Sequence, residues 1–173
     1  MNHRGNELSE IDLVTTLIGP RRLSRDSRAS RCLDMRVSIK ELIRSAQQEL
    51  IIAAFRLDSE ELINLILERA NAGVNVQIHL DHGQIKDNDT PRKAFKRLIE
   101  NGINVERWDE DWRHSLHAKV LIADGERAII GSANLTDRGM DRNIELGVGI
   151  KGPTVKYLRS AVLALMDPRI NED

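Results

Sequence analysis

Six residues at fixed offsets concentrate the chemical potential of this chain: His117, Lys119, Asp124, Gly131, Ser132 and Asn134. They spell H-x-K-x4-D-x6-G-S-x-N. If residues 117 to 123 form a strand, His117 and Lys119 point to the same face, because side chains alternate with period two. A second strand over Arg127 to Ile130 would return Ser132 and Asn134 to the same place, and Asp124-Gly125 between the two apolar runs is a hairpin turn signal. An imidazole, an ammonium, a hydroxyl and a carboxamide would then share one small volume. That set suits a phosphoryl group: a nucleophile or acid/base, a charge clamp and two neutral hydrogen-bonding groups.

The elements that must position these groups are legible upstream. Ser38 with Glu41 makes an S-x-x-E capping box, followed by an apolar stripe of Ile39, Leu42, Ile43 and Ala46. Leu50 to Phe55 suits a buried strand. Asp58 and Glu61 offer a second box, Leu62, Ile63, Leu65, Ile66 and Ala70 an apolar side, and Gly73 a C-terminal cap. Val74 to Leu80 reads as a strand, Thr90-Pro91 opens a helix that Gly102 ends, and Ile103 to Trp108 reads as a strand. After the hairpin, Asn143 to Ile150 alternates as a strand does. Val155 to Met166 is amphipathic, with Tyr157, Leu158, Val162 and Leu165 expected to cover the sheet. The reading is an α/β single domain, a mixed β-sheet flanked by helices on both faces. Residues 1–36 stand apart as an N-terminal basic segment and residues 37–173 as the catalytic domain. Leu8, Ile11, Leu13, Val14, Leu17 and Ile18 lie at roughly helical spacing. Between residues 21 and 36, six arginines face only Asp26 and Asp34. That stretch reads as a solvated linker or helix face, a phosphate-contacting arm, or a docking element for a partner protein.

A chain of 173 residues with net charge −1 carries no global nucleic-acid signal, so an anionic partner must be held locally. The single cysteine, Cys32, excludes an intramolecular disulfide. Neither a signal-peptide core nor a membrane-length apolar stretch is evident, and a cytoplasmic location with no membrane association is the expectation.

The six-position pattern resembles the signature of the phospholipase D superfamily, and Asn143-Ile144-Glu145 is similar to the N-x-E that its members commonly carry on the following strand. The likeness covers residues 37 to 167. It implies that His117 is the nucleophile that forms a phosphohistidine and that Lys119 holds the nonbridging phosphate oxygens. It implies that Ser132 and Asn134 bind the phosphate and that Glu145 orients His117 as a triad carboxylate does. Asp124 and Gly131 would support the site structurally. It implies no cofactor and no metal. His114 and His117 do form H-x-x-H, but no further pair has metal-ligand spacing. One motif per chain also implies a homodimer, as in the small single-motif bacterial endonucleases, because two-step chemistry needs a second histidine and His3, His79, His82 and His114 are not followed by lysine two positions on.

Further candidates are Arg138 and Arg142, as phosphate contacts or solvated charges, and Trp108 and Trp112, as core or dimer anchors or as platforms for bases. Asp81-His82-Gly83 reads as turn chemistry or as groove lining. The expected function is a metal-independent phosphodiesterase, a nuclease cleaving DNA or other nucleic acid. Alternatives are a phospholipase or phosphatidyltransferase, and a nuclease subunit controlled by a partner such as the ATPase of a bacterial defence complex.

Overall fold

The structure, a computed structural model, describes residues 10–16, 32–108 and 115–167. One eight-stranded mixed sheet runs through it in the order β2-β1-β8-β7-β6-β3-β4-β5. Its strands are β1 (Glu10–Thr15), β2 (Leu33–Asp34), β3 (Glu49–Ala54), β4 (Asn75–Asp81), β5 (Asn104–Trp108), β6 (Lys119–Ala123), β7 (Arg127–Gly131) and β8 (Leu146–Lys151). The helices are α1 (Met35–Ser45), α2 (Glu60–Asn71), α3 (His82–Asp87), α4 (Asp89–Glu100), α5 (Asp137–Asp141) and α6 (Thr154–Leu165).

Strands β3, β4 and β5 are parallel, and α2 and α4 are the crossovers that parallel pairing demands. Strands β6, β7, β8 and β1 continue the sheet antiparallel. The larger core lies on one face, where Met35, Ile39, Ile43, Leu62, Ile66 and Leu98 pack on Leu50, Ile52, Ile78, Leu121 and Ile129. On the other face α6 lays Val155 and Val162 on Ile51, Ala53, Val120, Ile122 and Ala128. Both faces of the central strands are therefore buried, which is why β6 reads as a continuous apolar run. On α6 the buried positions are Val155, Val162 and the following Met166. Tyr157 and Leu165, expected against the sheet, are exposed.

The N-terminal reading is corrected where it is described. Residues 10–15 are a strand, pairing antiparallel with β8 along its whole length, with Ile11 opposite Ile150 and Leu13 opposite Val148. The β-branched Ile11, Val14 and Thr15 suit that setting, and a long-range partner decides what local spacing left ambiguous. Because β1 and β2 belong to the same sheet as the rest, the boundary drawn at residue 36 does not separate two packing units among the described residues. Helix α1 begins at Met35, capped by Asp34, whose side chain accepts the Val37 N–H at 2.8 Å; Ser38 lies inside the helix. The α4 cap position is Asn88 and not Thr90. The stretch expected as a loop after β4 contains α3, capped by Asp81.

The β6–β7 hairpin turns at Asp124 and Gly125, with φ of 56° and 64°. Two consecutive left-handed residues match the twist of the flanking strands. Asp124 does more than turn the chain. Its carboxylate accepts the N–H groups of Gln47, Gln48 and Glu49 at 2.8–2.9 Å, tying the α1–β3 junction to the hairpin. Burial opposes the charge, but these three amides outweigh it and hold the Asp124 carboxyl below the usual aspartate range. A depressed carboxyl contributes stability that is fully present above its unfolded pKa and is lost as pH falls through the folded one. Asp124→Asn keeps a residue that tolerates positive φ. At neutral pH it is expected to cost about 2 kcal/mol in urea unfolding, the range of hydrogen bonds to a charged group. The gap to the parent should close as pH falls below about 3.9; a gap independent of pH would contradict this account.

Candidate active site

The chemistry-bearing residues gather at the edge formed by the carboxyl ends of β3, β4 and β5, where open α/β sheets place their ligand crevices. Strand β6 runs opposite to β3 and pairs Lys119 with Ala54, so its first residue arrives at that edge. Strands β7 and β8 pair Gly131 with Gly147, which brings the G-S-x-N segment and Glu145 to the same edge.

His117 is exposed, and its ring lies 4.8 Å from that of Phe55 at 55°. Lys119 is 6% exposed, unusually deep for an ammonium. Its Nζ donates to the His117 carbonyl at 2.8 Å and sits 5.2 Å from the Phe55 ring centroid, a cation–π distance. Burial pushes the Lys119 pKa down, and the charge of Glu145 partly restores it. The ammonium is thus held by one carbonyl, one ring face and one carboxylate at longer range, with donors to spare for an anion.

Ser132 donates its hydroxyl to the Glu145 carboxylate, and the Leu146 N–H donates to Ser132 Oγ at 3.2 Å. Asn143 donates to the other Glu145 oxygen at 3.1 Å. Glu145 therefore bonds Ser132 and Asn143, and no hydrogen bond joins it to His117 of the same chain among the described residues. The orienting contact implied by the family resemblance is not made within one chain. Asn134 is half-buried, and its Oδ1 has no partner among the described residues.

Gly131 packs where a Cβ would crowd the Leu146 carbonyl and the Gly147 Cα, so it permits close approach between β7 and β8. Gly139, which the sequence did not single out, is more demanding: a Cβ there would run into the Asn134 carbonyl. The backbone around Asn134 is fixed from a second side, because Leu135 donates to the Arg56 carbonyl and accepts from Asp58 and Ser59. Thr15 and Thr16 brace the N-x-E segment. Both hydroxyls and the Thr16 N–H bond the main chain of Asn143 and Glu145, at 2.7–3.2 Å. Hydroxyl pairs at a strand end carry no local motif, so this brace is invisible in sequence.

Arg36 is not part of a phosphate arm. It bonds Glu61 through Nε and Nη2, and also Asp141 and Asp137, pinning α5 to α1 and α2. Asp137 additionally accepts the Ser59 hydroxyl at 2.8 Å. Asp137 and Asp141, the acidic neighbours of Arg138 and Arg142 in sequence, are thus turned toward Arg36. Arg138 and Arg142 are exposed, with no ion pair among the described residues. Trp108 is half-buried against the α6 side of the sheet. Trp112, His114 and the arginines from 21 to 31 lie outside the described residues. No group of three or more potential ligands among the described residues could hold a metal ion, and no helix among them is long and apolar enough to cross a membrane.

A family model described as "Cardiolipin synthase, PLD-like domain" matches residues 39–164. The chain belongs to the phospholipase D superfamily. Within it, the DISARM protein DrmC of Bacillus paralicheniformis is 32% identical over 131 residues, covering 74% of this chain and 54% of that protein. Cardiolipin synthase A of Buchnera aphidicola is 33% identical over 107 residues, covering 60% of this chain and 21% of the synthase. The chain therefore spans about half the length of the first of these relatives and about a fifth of the second. Among solved structures, the phospholipase D family member Nuc from Salmonella typhimurium superposes with a TM-score of 0.76 at 20% identity, covering 95% of this chain and 96% of Nuc. At that identity the likeness is one of fold.

The opposing influences on Lys119 yield a measurable ordering. Its ammonium should titrate below the ordinary lysine value of about 10.4. Glu145→Gln removes the charge that raises it, so the titration should move lower still. A value at or above that of free lysine, followed by NMR at Nζ, would contradict the burial argument.

Proposed function

We propose that this chain is a phosphodiesterase acting on nucleic acid, most simply DNA, through a phosphohistidine formed on His117. The observation that carries the reading is an exposed imidazole two residues from a buried ammonium, with Ser132, Asn134 and Glu145 at the same sheet edge. In this mechanism His117 attacks phosphorus, and the bond to one ester oxygen breaks. Lys119 stabilises the charge that develops on the nonbridging oxygens, while Ser132 and Asn134 orient the group. Water then attacks the phosphohistidine and regenerates the imidazole. A protein nucleophile and a fixed cation supply what the step needs without a metal. Arg138 and Arg142 are exposed cations on and beside α5, the helix that follows Asn134, and suit flanking phosphates.

The leaving oxygen needs a proton, and a second copy of the chain is the proposed source, through its own His117. Two observations support that homodimer. Glu145 is not spent on the His117 of its own chain, so its carboxylate is available to orient the other copy's imidazole across a twofold axis. Beside it lies an apolar stripe: Ile144 is 85% and Leu146 62% exposed, with Ile11 and Leu13 continuing the patch on the neighbouring strand. Monomeric proteins seldom leave such a surface uncovered next to a catalytic centre. The name of the DrmC relative motivates a second reading, a nuclease subunit of a defence complex held silent until a partner engages it. The cardiolipin synthase relatives keep a phosphatidyl substrate in consideration.

Plasmid breakdown in excess EDTA that disappears in His117→Asn is the expected result. Phosphatidyl transfer without DNA cleavage would overturn the nuclease reading, and inactivity relieved only by a co-purifying partner would favour the complex. For the dimer, Leu146→Glu should shift the sedimenting species to a monomer and abolish activity together. An active monomer would refute the shared site.

A further inference from the structure

The His117 ring is exposed and its backbone is fixed, and one of the groups that fixes it comes from two strands away. Asp81 ends β4 and is 6% exposed. Its Oδ1 accepts the Gln84 N–H at 3.1 Å. Its Oδ2 accepts two donors from the segment leading into the motif, the Ser115 hydroxyl at 2.9 Å and the Leu116 N–H at 3.0 Å. On the far side, Phe55 N–H donates to the Ala118 carbonyl at 3.0 Å, and Lys119 holds the His117 carbonyl. The nucleophile is therefore suspended between two anchors, residue 116 on Asp81 and residue 118 on Phe55. Only the second is a sheet-type bond.

We infer that Asp81 is a positioning residue for His117, an inference that rests on the nucleophile reading above. A carboxylate fits this place because every group it meets is a donor. A carboxamide of the same shape would turn one N–H₂ toward another donor and leave a buried group unpaired. Residues 115 to 118 are irregular backbone, with no ladder of their own to set where the imidazole stands. Asp81 replaces that ladder, and its cap on α3 couples the position to the end of the parallel strands. Turn chemistry and site construction are here the same carboxylate. Misplacing a reacting group by about an ångström is enough to cost about 100-fold in rate.

The test uses the full chain and bis(p-nitrophenyl) phosphate in EDTA, comparing the parent, His117→Asn, Asp81→Asn and Ser115→Ala. Asp81→Asn is expected to lower kcat by about 100-fold while KM stays within about twofold, since ground-state binding falls to Lys119 and the G-S-x-N segment. Ser115→Ala removes one donor of three, and should lower kcat by about fivefold with an unchanged melting temperature. Parent kcat in a folded Asp81→Asn, or an effect on KM alone, would overturn the inference. Should Asp81→Asn fail to fold, Ser115→Ala decides, and parent kcat in that variant refutes the positioning role. If the parent itself is no faster than His117→Asn, the nucleophile reading fails and the assignment of Asp81 falls with it. If the parent is fast, His117→Asn dead and Asp81→Asn normal, only Asp81 is refuted.

Discussion

A lysine ammonium taken out of water must be compensated where it sits, and Lys119 sets that constraint at the centre of this fold. Burying an isolated ammonium disfavours its charged form strongly. The chain answers with a carbonyl from His117, the face of Phe55 and the field of Glu145. Each partner needs its own support. Phe55 is held by the backbone of Ala118, and Glu145 by Ser132, Asn143, Thr15 and Thr16. What looks like a catalytic cluster is also a set of groups that make one buried charge tolerable. In the proposed mechanism an incoming phosphate would complete the compensation, so that substrate binding and local stability would share one origin.

The parts legible from sequence were those with a local physical signature. A hairpin needs its turn residues, and Asp124-Gly125 announces both the turn and the two strands. Strand β3 shows as a run of apolar residues because it is buried on both sides, and α2 shows as a stripe because it is buried on one. The helix caps were placed only approximately, because several short polar residues stand near each start and only packing selects among them. Asp34 was chosen over Ser38 in that way.

The parts that escaped are non-local. Strand β1 looked helical, since Ile11, Leu13 and Val14 offer no clear period over six residues. Only its pairing with β8, some 130 residues later, decides the matter. Arg36 looked like one of a basic run, yet three carboxylates from α2 and α5 claim it. Phe55 looked like the end of a strand and is a wall of the site. Gly139 gave no turn signal, because what it avoids is a carbonyl brought beside it by tertiary structure. In each case the residue type was visible and its neighbour was not.

The brace between β1 and the N-x-E segment also bears on when the site can exist. Synthesis delivers Thr15 and Thr16 some 130 residues before Glu145, so two distant segments must meet before Glu145 is held. Strand pairing across such a separation is slow compared with local helix formation. The parallel half of the sheet can gather while the antiparallel half is still being made, but it does not contain the hairpin, the serine or the glutamate. A chain synthesised only as far as the parallel half therefore lacks the braced Glu145, and the candidate site comes together only when β1 pairs with β8.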